Sequence, residues 1–164
     1  NAEILVFTYK DGLLSAVAHD LQLKVSDFAI NVEGNAVDAR FDPNSLRVVT
    51  AMKDGAPSSA LSDKDTRDIE ANITKDVLAP KKFAEIRFVS TSVEKDANGA
   101  TVAGNLTLHG MTKPLRVQAK KAGDKYVAEI DLNQPDYGIK PFSAMMGTLK
   151  VKPAIRVRIT IPAV

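Results

Sequence analysis

The sequence predicts an all-β fold, an antiparallel sandwich or barrel with one α-helix near residues 62–78. Much of the 164-residue chain alternates between apolar and polar residues with a period of two, as half-buried strands do. Turn residues separate these stretches at a spacing of roughly 8–12 residues, which is typical of antiparallel all-β folds. One stretch instead has helical spacing. We interpret residues 1–164 as a single domain, because a chain of this length can bury a core without disulfides.

The clearest strands lie near the two ends of the chain. In residues 17–25, Val17, His19 and Leu21 alternate with polar neighbours and therefore share one apolar face. Residues 149–161 alternate in the same way, and Pro153 interrupts them, which indicates an edge or a bulge. We predict that the outward face of this last segment carries a basic row: Lys150, Lys152, Arg156 and Arg158.

The remaining strands are shorter, and residues such as Gly, Asn and Asp separate them. They are predicted at residues 4–9, 29–33, 36–41, 45–50, 85–94, 101–108, 115–121 and 126–132. The helix is predicted from Ile69, Ile73 and Val77, which recur every four residues. Ser62 is a suitable N-cap, and Pro80 stops the helix.

The composition excludes several classes of function. The chain has no cysteine, so it forms no disulfide framework or thiolate metal site. A net charge of +2 and an aromatic content of 5% do not favour nucleic-acid binding. No metal-binding, cofactor or catalytic motif is present, and we expect no cofactor. The first half is acidic and the second basic, which fits either solvated strand faces or attraction to an anionic surface.

The two histidines have different contexts. His19 lies on the apolar face of its strand, so it is either a hydrogen-bonded core residue or a polar group inside a ligand cavity. His109 lies in a Gly- and Pro-containing connection between two strands, where we expect it to stabilise a turn. Met145 and Met146 are suited to filling a core or lining an apolar cavity.

Several segments resemble one known family. Residues 106–115, Leu-Thr-Leu-His-Gly-Met-Thr-Lys-Pro-Leu, resemble the L-T-[LI]-H-G-[VM]-T-[KR]-P signature of YceI-like proteins. Residues 18–21, 80–90 and 146–151 are similar to further family segments in the same order. The early His-Asp-Leu and the stretch 64–78 depart from the common pattern, so the resemblance is to a divergent branch.

This resemblance implies an elongated, eight-stranded, lipocalin-like β-barrel that binds a polyisoprenoid, quinone or fatty-acid-like lipid along its lumen. It also implies export to the bacterial periplasm, and it carries over no catalytic residue. A barrel of about eight strands can enclose one slender ligand. We predict that the ligand-binding side chains are the inward ones: Val17, His19, Leu21, Leu23, Phe28, Ile30, Phe41, Phe88, Val117, Phe142 and Met145.

The predicted function is a carrier or sequestering protein for an apolar lipid, and not an enzyme. One alternative is a solid-core barrel that serves as an interaction module for a protein or membrane partner. Another is an enzyme that acts on a small apolar substrate through His19. Transient membrane contact and a homodimer are both left open as further interactions.

Overall fold

The computed structural model describes residues 2–11, 19–144 and 149–163. Eleven antiparallel strands form one sheet, in the order β3-β4-β7-β8-β9-β10-β13-β1-β2-β5-β6. A separate antiparallel pair is formed by β11 and β12. In chain order the strands are β1 (Glu3–Thr8), β2 (Asp20–Val25), β3 (Phe28–Glu33), β4 (Ala36–Phe41), β5 (Leu46–Lys53), β6 (Ala56–Ser58), β7 (Ile86–Asp96), β8 (Gly99–Leu108), β9 (Met111–Ala122), β10 (Lys125–Asn133), β11 (Ser143–Ala144), β12 (Leu149–Lys150) and β13 (Ala154–Pro162).

The sheet curls into a half-barrel, and the chain passes directly from β2 into β3 at a corner. There the Ser26 amide donates to the Ser45 carbonyl at 3.0 Å, and the Asp42 amide donates to the Asp27 carbonyl at 3.0 Å. These bonds fasten the corner to the short 3₁₀ turn Pro43–Ser45, which precedes β5. The connection from β2 to β3 is thus hydrogen-bonded to the connection from β4 to β5.

One helix, α1 (Asp63–Asn72), continues into a single π-helical turn over Ile73–Val77. It begins with the predicted cap: Ser62 Oγ accepts from the Asp65 amide at 3.1 Å, and the Asp65 carboxylate accepts from the Ser62 amide at 3.0 Å. This reciprocal capping box satisfies two backbone donors that a helix start leaves free. At the other end the Leu78 amide donates to the Ile73 carbonyl, which widens the last turn.

The helix is attached to the sheet through β5. The Glu70 carboxylate accepts a hydrogen bond of 2.8 Å from the Val48 amide. A backbone donor on this strand is therefore satisfied by a helix side chain, as buried or half-buried backbone groups require. The bond fixes α1 along the inner side of the half-barrel, where its apolar residues meet the core.

The predicted all-β class with one helix is confirmed, but the predicted count of eight strands is wrong, since the main sheet has eleven. Ten of these strands coincide with predicted segments. The eleventh, β6, is not among the predicted strands, and its Ala-Pro-Ser sequence shows no alternation. It forms because β5 extends to Lys53 and folds back as a hairpin over Asp54 and Gly55, both at positive φ.

His109 lies in the turn between β8 and β9, as predicted. His109 and Gly110 have φ values of 55° and 76°, the two positive values that a tight type I′ hairpin turn requires. The imidazole Nδ1 donates to the Tyr137 carbonyl at 3.2 Å, and the ring lies 4.1 Å from the Phe83 ring. These contacts hold the turn against the 3₁₀ segment Gln134–Tyr137.

Candidate functional site

The interior of the half-barrel holds a cavity of ≈ 840 Å³. This volume lies in the range of sites that enclose small organic ligands. One face of nearly every long strand contributes to the wall, because side chains two residues apart along a strand point to the same side of the sheet. The lining is overwhelmingly aliphatic.

Strands β9 and β13 show how the sequence builds this wall. Leu115, Val117 and Ala119 of β9 line the cavity, while the residues between them face outward. On β13 the wall is formed in the same alternation by Ile155, Val157, Ile159 and Ile161. The predicted apolar face of the last strand is therefore the wall of the cavity.

Many wall residues are apolar and yet only half-buried. Val102 and Val117, which face each other in the β8–β9 register, are examples. Apolar side chains of a close-packed core are normally covered by neighbours. Val32 on the edge strand β3 also lines the cavity and is 51% exposed, so the cavity opens to solvent beside this edge. The half-barrel therefore encloses open space with apolar walls.

Helix α1 and its π-turn cover the cavity with two adjacent rows of side chains. The apolar row, Ile69, Ile73 and Val77, is the one predicted from its four-residue spacing. The second row is polar and consists of Asp65, Asp68 and Asn72, which also border the cavity. Asp65 and Asp68 are exposed, so this polar row forms part of the rim.

The carboxylates of the rim are held in place by local partners. Hydrogen bonding with Ser62 lowers the pKa of the Asp65 carboxyl below its ordinary value, and the Ser62 backbone has the largest effect. Nearby Lys64 and His19 lower this pKa further. Asp68 forms an ion pair of 2.7 Å with Lys64 on the exposed side of the helix. Asp65 is therefore ionised at neutral pH.

Polar side chains also reach the cavity from the sheet side: Thr8, His19, Gln134 and Lys150. The Thr8 hydroxyl oxygen is buried and has no hydrogen-bond partner within the described ranges. Gln134 is 7% exposed, and its side-chain amide donates to the Lys152 carbonyl at 3.1 Å. These side chains add polar residues to an otherwise aliphatic wall.

The predicted site residues fall into three groups. Those that line the cavity are His19, Leu21, Leu23, Ile30, Phe41, Phe88, Val117 and Phe142. Val17 and Met145 lie outside the described residues. Phe28 is half-buried at the first position of β3, where the chain leaves the corner, and it is not among the residues that line the cavity. Whether the lining residues contact a ligand stays a prediction.

The predicted basic outer row is only partly correct. Arg156 and Arg158 do lie on the outer face, where Arg156 pairs with Asp131 at 2.9 Å and Arg158 with Glu129 at 3.5 Å. Lys150, in contrast, borders the cavity. The reason is that β13 starts only at Ala154, so the alternation does not continue through Pro153 into the preceding segment.

Sequence reasoning missed much of the wall, although the signal was present. The missed positions continue the alternation of strands that were correctly predicted, for example Ile4 and Val6 on β1 or Ala128 and Ile130 on β10. Once one residue of a strand is assigned to the interior, every second residue follows. The rim carboxylates of α1 carried no such signal, because acidic residues on a helix are ordinarily solvated.

Gly104 on β8 allows an aromatic side chain to form part of the wall. A Cβ atom at this position would lie 2.4 Å from the Val89 carbonyl oxygen and 2.7 Å from the Phe88 ring. The missing side chain lets β7 and the Phe88 ring approach β8 closely, beside the register shift between Ser90 and Ser92.

No helix in the described ranges combines the length and the hydropathy that crossing a membrane requires. Within the same ranges, no three His, Asp or Glu side chains come close enough to hold a metal ion together.

A curled antiparallel sheet around an apolar cavity defines the class of β-barrel-like proteins whose interior can enclose a ligand. The family model of the YceI-like domain matches residues 5–163. The chain therefore belongs to the YceI-like family, as its sequence segments predicted.

Relatives and solved structures agree with this assignment. A UPF0312 protein of Pseudomonas fluorescens is 34% identical over 138 residues, covering 67% of this chain and 70% of the relative. A UPF0312 protein of Shewanella sp. strain MR-4 is 42% identical over 76 residues, but the match spans only 40% of each chain.

Two solved structures share the fold over almost the whole chain. Burkholderia cenocepacia BcnA has a TM-score of 0.70 at 13% identity, covering 99% of this chain and 96% of that one. A polyisoprenoid binding domain from Saccharophagus degradans, described as implicated in plant cell wall breakdown, has a TM-score of 0.59 at 9% identity, with 99% and 94% coverage.

Proposed function

We propose that this protein binds a long apolar ligand, such as a polyisoprenoid, a quinone or a fatty-acid-like lipid, as a carrier or sequestering protein. The observation that carries the proposal is the cavity of ≈ 840 Å³, whose wall consists of the inward aliphatic faces of the sheet. Membership in the YceI-like family supports it, as does the fold shared with a polyisoprenoid binding domain.

The driving force would be the removal of apolar surface from water. Burial contributes roughly 25 cal/mol per Å², or about 0.8 kcal/mol per methylene, before the costs of association are subtracted. Since about 1.4 kcal/mol corresponds to a tenfold change in affinity, each added methylene should tighten binding about fourfold while the cavity still has room. Affinity should therefore rise along the series geraniol, farnesol and geranylgeraniol.

The first experiment asks whether the protein carries a ligand from its host. The natively purified protein is denatured, extracted with organic solvent and analysed by mass spectrometry. We expect a long-chain lipid in the extract of the wild type and of Gln118→Lys, which alters an exposed residue on the outer face of β9. The neighbouring Val117→Lys places a charge on the cavity wall and should abolish the lipid.

Two results would contradict the proposal. One is the absence of lipid above the level of an unrelated protein, together with no affinity of the stripped protein for isoprenoids or fatty acids. The other is equal lipid content in Val117→Lys and Gln118→Lys, because the lipid would then lie outside the cavity.

The open cavity favours this proposal over a solid interaction module. An enzyme acting through His19 would need a second group that moves a proton or attacks the substrate, and the rim offers Asp65 in that neighbourhood. Turnover of an apolar substrate that disappears in His19→Ala would support the enzymatic alternative.

We further propose a periplasmic location with transient membrane contact during ligand loading. The family resemblance and the basic second half of the chain support this. Fractionation of the native host tests the location, and flotation with anionic phospholipid vesicles tests the contact. Light scattering of the purified protein tests whether it forms a homodimer.

A further inference from the structure

We propose that the cavity takes an amphipathic lipid in one orientation, with its polar head at the border of the sheet beside α1 and the end of its chain at the opposite border. This inference rests on the proposed function, and it adds the direction in which the ligand lies.

Polar side chains that line the cavity from the sheet lie at one border. Strands β10, β13, β1 and β2 are neighbours and antiparallel, so the end of each one lies beside the start of the next. Gln134 directly follows β10, Lys150 lies shortly before β13, and His19 directly precedes β2. The Asp11 amide donates to the Lys150 carbonyl at 2.9 Å, which holds Lys150 beside the residues that follow β1. These three side chains therefore share one border of the sheet, the polar border.

Helix α1 adds further polar groups at the polar border. The pKa of the Asp65 carboxyl is lowered chiefly by Ser62 and further by His19, so the start of α1 lies close to His19. Asp65, Asp68 and Lys150 are exposed and His19 is half-buried, so a head bound here keeps part of its hydration. The carboxylates accept hydrogen bonds and the Lys150 ammonium donates them, so this border can bond a polar head such as a hydroxyl.

The opposite border of the same four strands is apolar. Tyr126 near the start of β10 pairs with Ile161 near the end of β13, and both line the cavity. Ile4 near the start of β1 and Val25 at the end of β2 line it as well. None of these four side chains carries a charge, and the Tyr126 hydroxyl is the one polar group among them. An apolar chain gains free energy by burial against such a surface, whereas a polar head would lose its water there.

The two borders are far enough apart to contact different parts of one ligand. Tyr126 and Leu132 both line the cavity from β10 and are six residues apart. At the rise of a β-strand this separation corresponds to about 20 Å. An extended long-chain lipid therefore reaches from the polar border to the apolar one, and its head and its chain end have different surroundings.

The experiment locates the two ends of the ligand by heavy-atom quenching of tryptophan, which requires near contact. The chain has no tryptophan, so Phe142→Trp reports from the polar border and Tyr126→Trp from the apolar one. Phe142 lies beside Lys150, since its carbonyl accepts from the Val151 amide at 3.0 Å. Each variant, stripped of lipid, is titrated with octadecanol that carries one bromine either beside the hydroxyl or at the chain end.

We expect the bromine beside the hydroxyl to quench Phe142→Trp several-fold more than Tyr126→Trp, and the bromine at the chain end to do the reverse. The opposite pattern, or equal quenching of both variants by each alcohol, would overturn the inference. Circular dichroism checks that the variants are folded. Where one is not, Leu61→Trp beside the start of α1 or Ile161→Trp reports from the same border.

Gln118→Trp on the outer face of β9 is the matched control and should be quenched by neither alcohol. Displacement of a fluorescent apolar probe measures binding separately. If the alcohols displace the probe without the expected difference between the two borders, the inference fails and the proposed function stands. If they neither displace the probe nor quench either variant, the proposed function itself fails, and this inference fails with it.

Discussion

Because the Thr8 hydroxyl is unpaired, we can predict how its removal changes the free energy of unfolding in the absence of a ligand. Replacing Thr8 by valine keeps the shape of the side chain and removes a buried polar atom that has no partner in the described structure. The desolvation penalty of such a group is about 1–3 kcal/mol, so the ligand-free variant should be more stable than the wild type by about that amount. For a domain of this size, about 1 kcal/mol raises Tm by about 2–4 °C.

Thr50→Val is the matched control for this substitution. Thr50 Oγ1 lies 3.0 Å from the carbonyl oxygens of both Ala51 and Ser58, so the same change removes a satisfied hydroxyl. It should destabilise the protein by about 1 kcal/mol, because the strand hairpin loses a hydrogen bond. Urea denaturation of the two variants, after lipid is stripped from the protein, measures both effects. A loss of stability in Thr8→Val as large as that in Thr50→Val would refute the reasoning.

Three further substitutions test the fold. Gly104→Ala places a Cβ against the Val89 carbonyl at 2.4 Å, and overpacking of this kind should cost about 1–3 kcal/mol, measured by thermal denaturation. Ser62→Ala removes the helix cap and should cost about 1 kcal/mol in urea denaturation, with a loss of helical circular dichroism. Asp131 accepts from Arg156, and this bond holds the pKa of its carboxyl below the ordinary value. The contribution of this ion pair to folding stability is therefore fully present above about pH 3.9, the ordinary pKa of an aspartate. It is lost as the pH falls through the lower pKa that Asp131 has in the folded protein. Asp131→Asn should therefore make the free energy of unfolding less sensitive to acid.

For each of these substitutions, one result would contradict the structural reason given for it. An unchanged Tm in Gly104→Ala would show that β7 and β8 can separate at little cost. An unchanged urea midpoint in Ser62→Ala would mean that the capping box does not stabilise α1. Equal acid sensitivity in wild type and Asp131→Asn would show that the Arg156 pair has no effect on folding.

The strands were predictable because their alternation reports burial directly. The bounds of β4 agree with the prediction at both ends, and β13 carries its apolar face where the pattern placed it. In a strand with one solvated and one apolar face, every second residue is apolar, so the sequence shows which face is buried. Strand β6 has only three residues, too few to show such a period, and proline is disfavoured inside strands, as at Pro57.

The sequence predicted that an apolar cavity exists, but not all of the residues and turns that surround it. Helical spacing gave the apolar row of α1, and the structure places Ile69 and Ile73 over the cavity. The widened turn after Asn72 could not be read from sequence, because π and α geometry give similar four-residue patterns over one turn. Alternation assigns Phe28 to the same face of β3 as Ile30, but it does not show how far along the strand the cavity lining extends.

The polar side chains of the cavity wall were the part of the site that the sequence predicted least well. A threonine at the end of an apolar strand is consistent with either face, so Thr8 gave no signal until its hydroxyl was found buried. Gln134 is brought to the wall by the 3₁₀ turn after β10 and by its bond to Lys152, a residue distant in sequence. Such long-range contacts depend on how the sheet closes, which local patterns do not specify.

A single tryptophan on the cavity wall can report whether an apolar ligand occupies the cavity. The chain contains no tryptophan, so Val117→Trp reports from inside the cavity and Gln118→Trp from the outer face of the same strand. During titration with geranylgeraniol, the emission of Val117→Trp should shift to the blue and become protected from acrylamide, and that of Gln118→Trp should not change. No change in the emission of Val117→Trp at saturating ligand, or the same change in both variants, would show that the ligand does not enter the cavity.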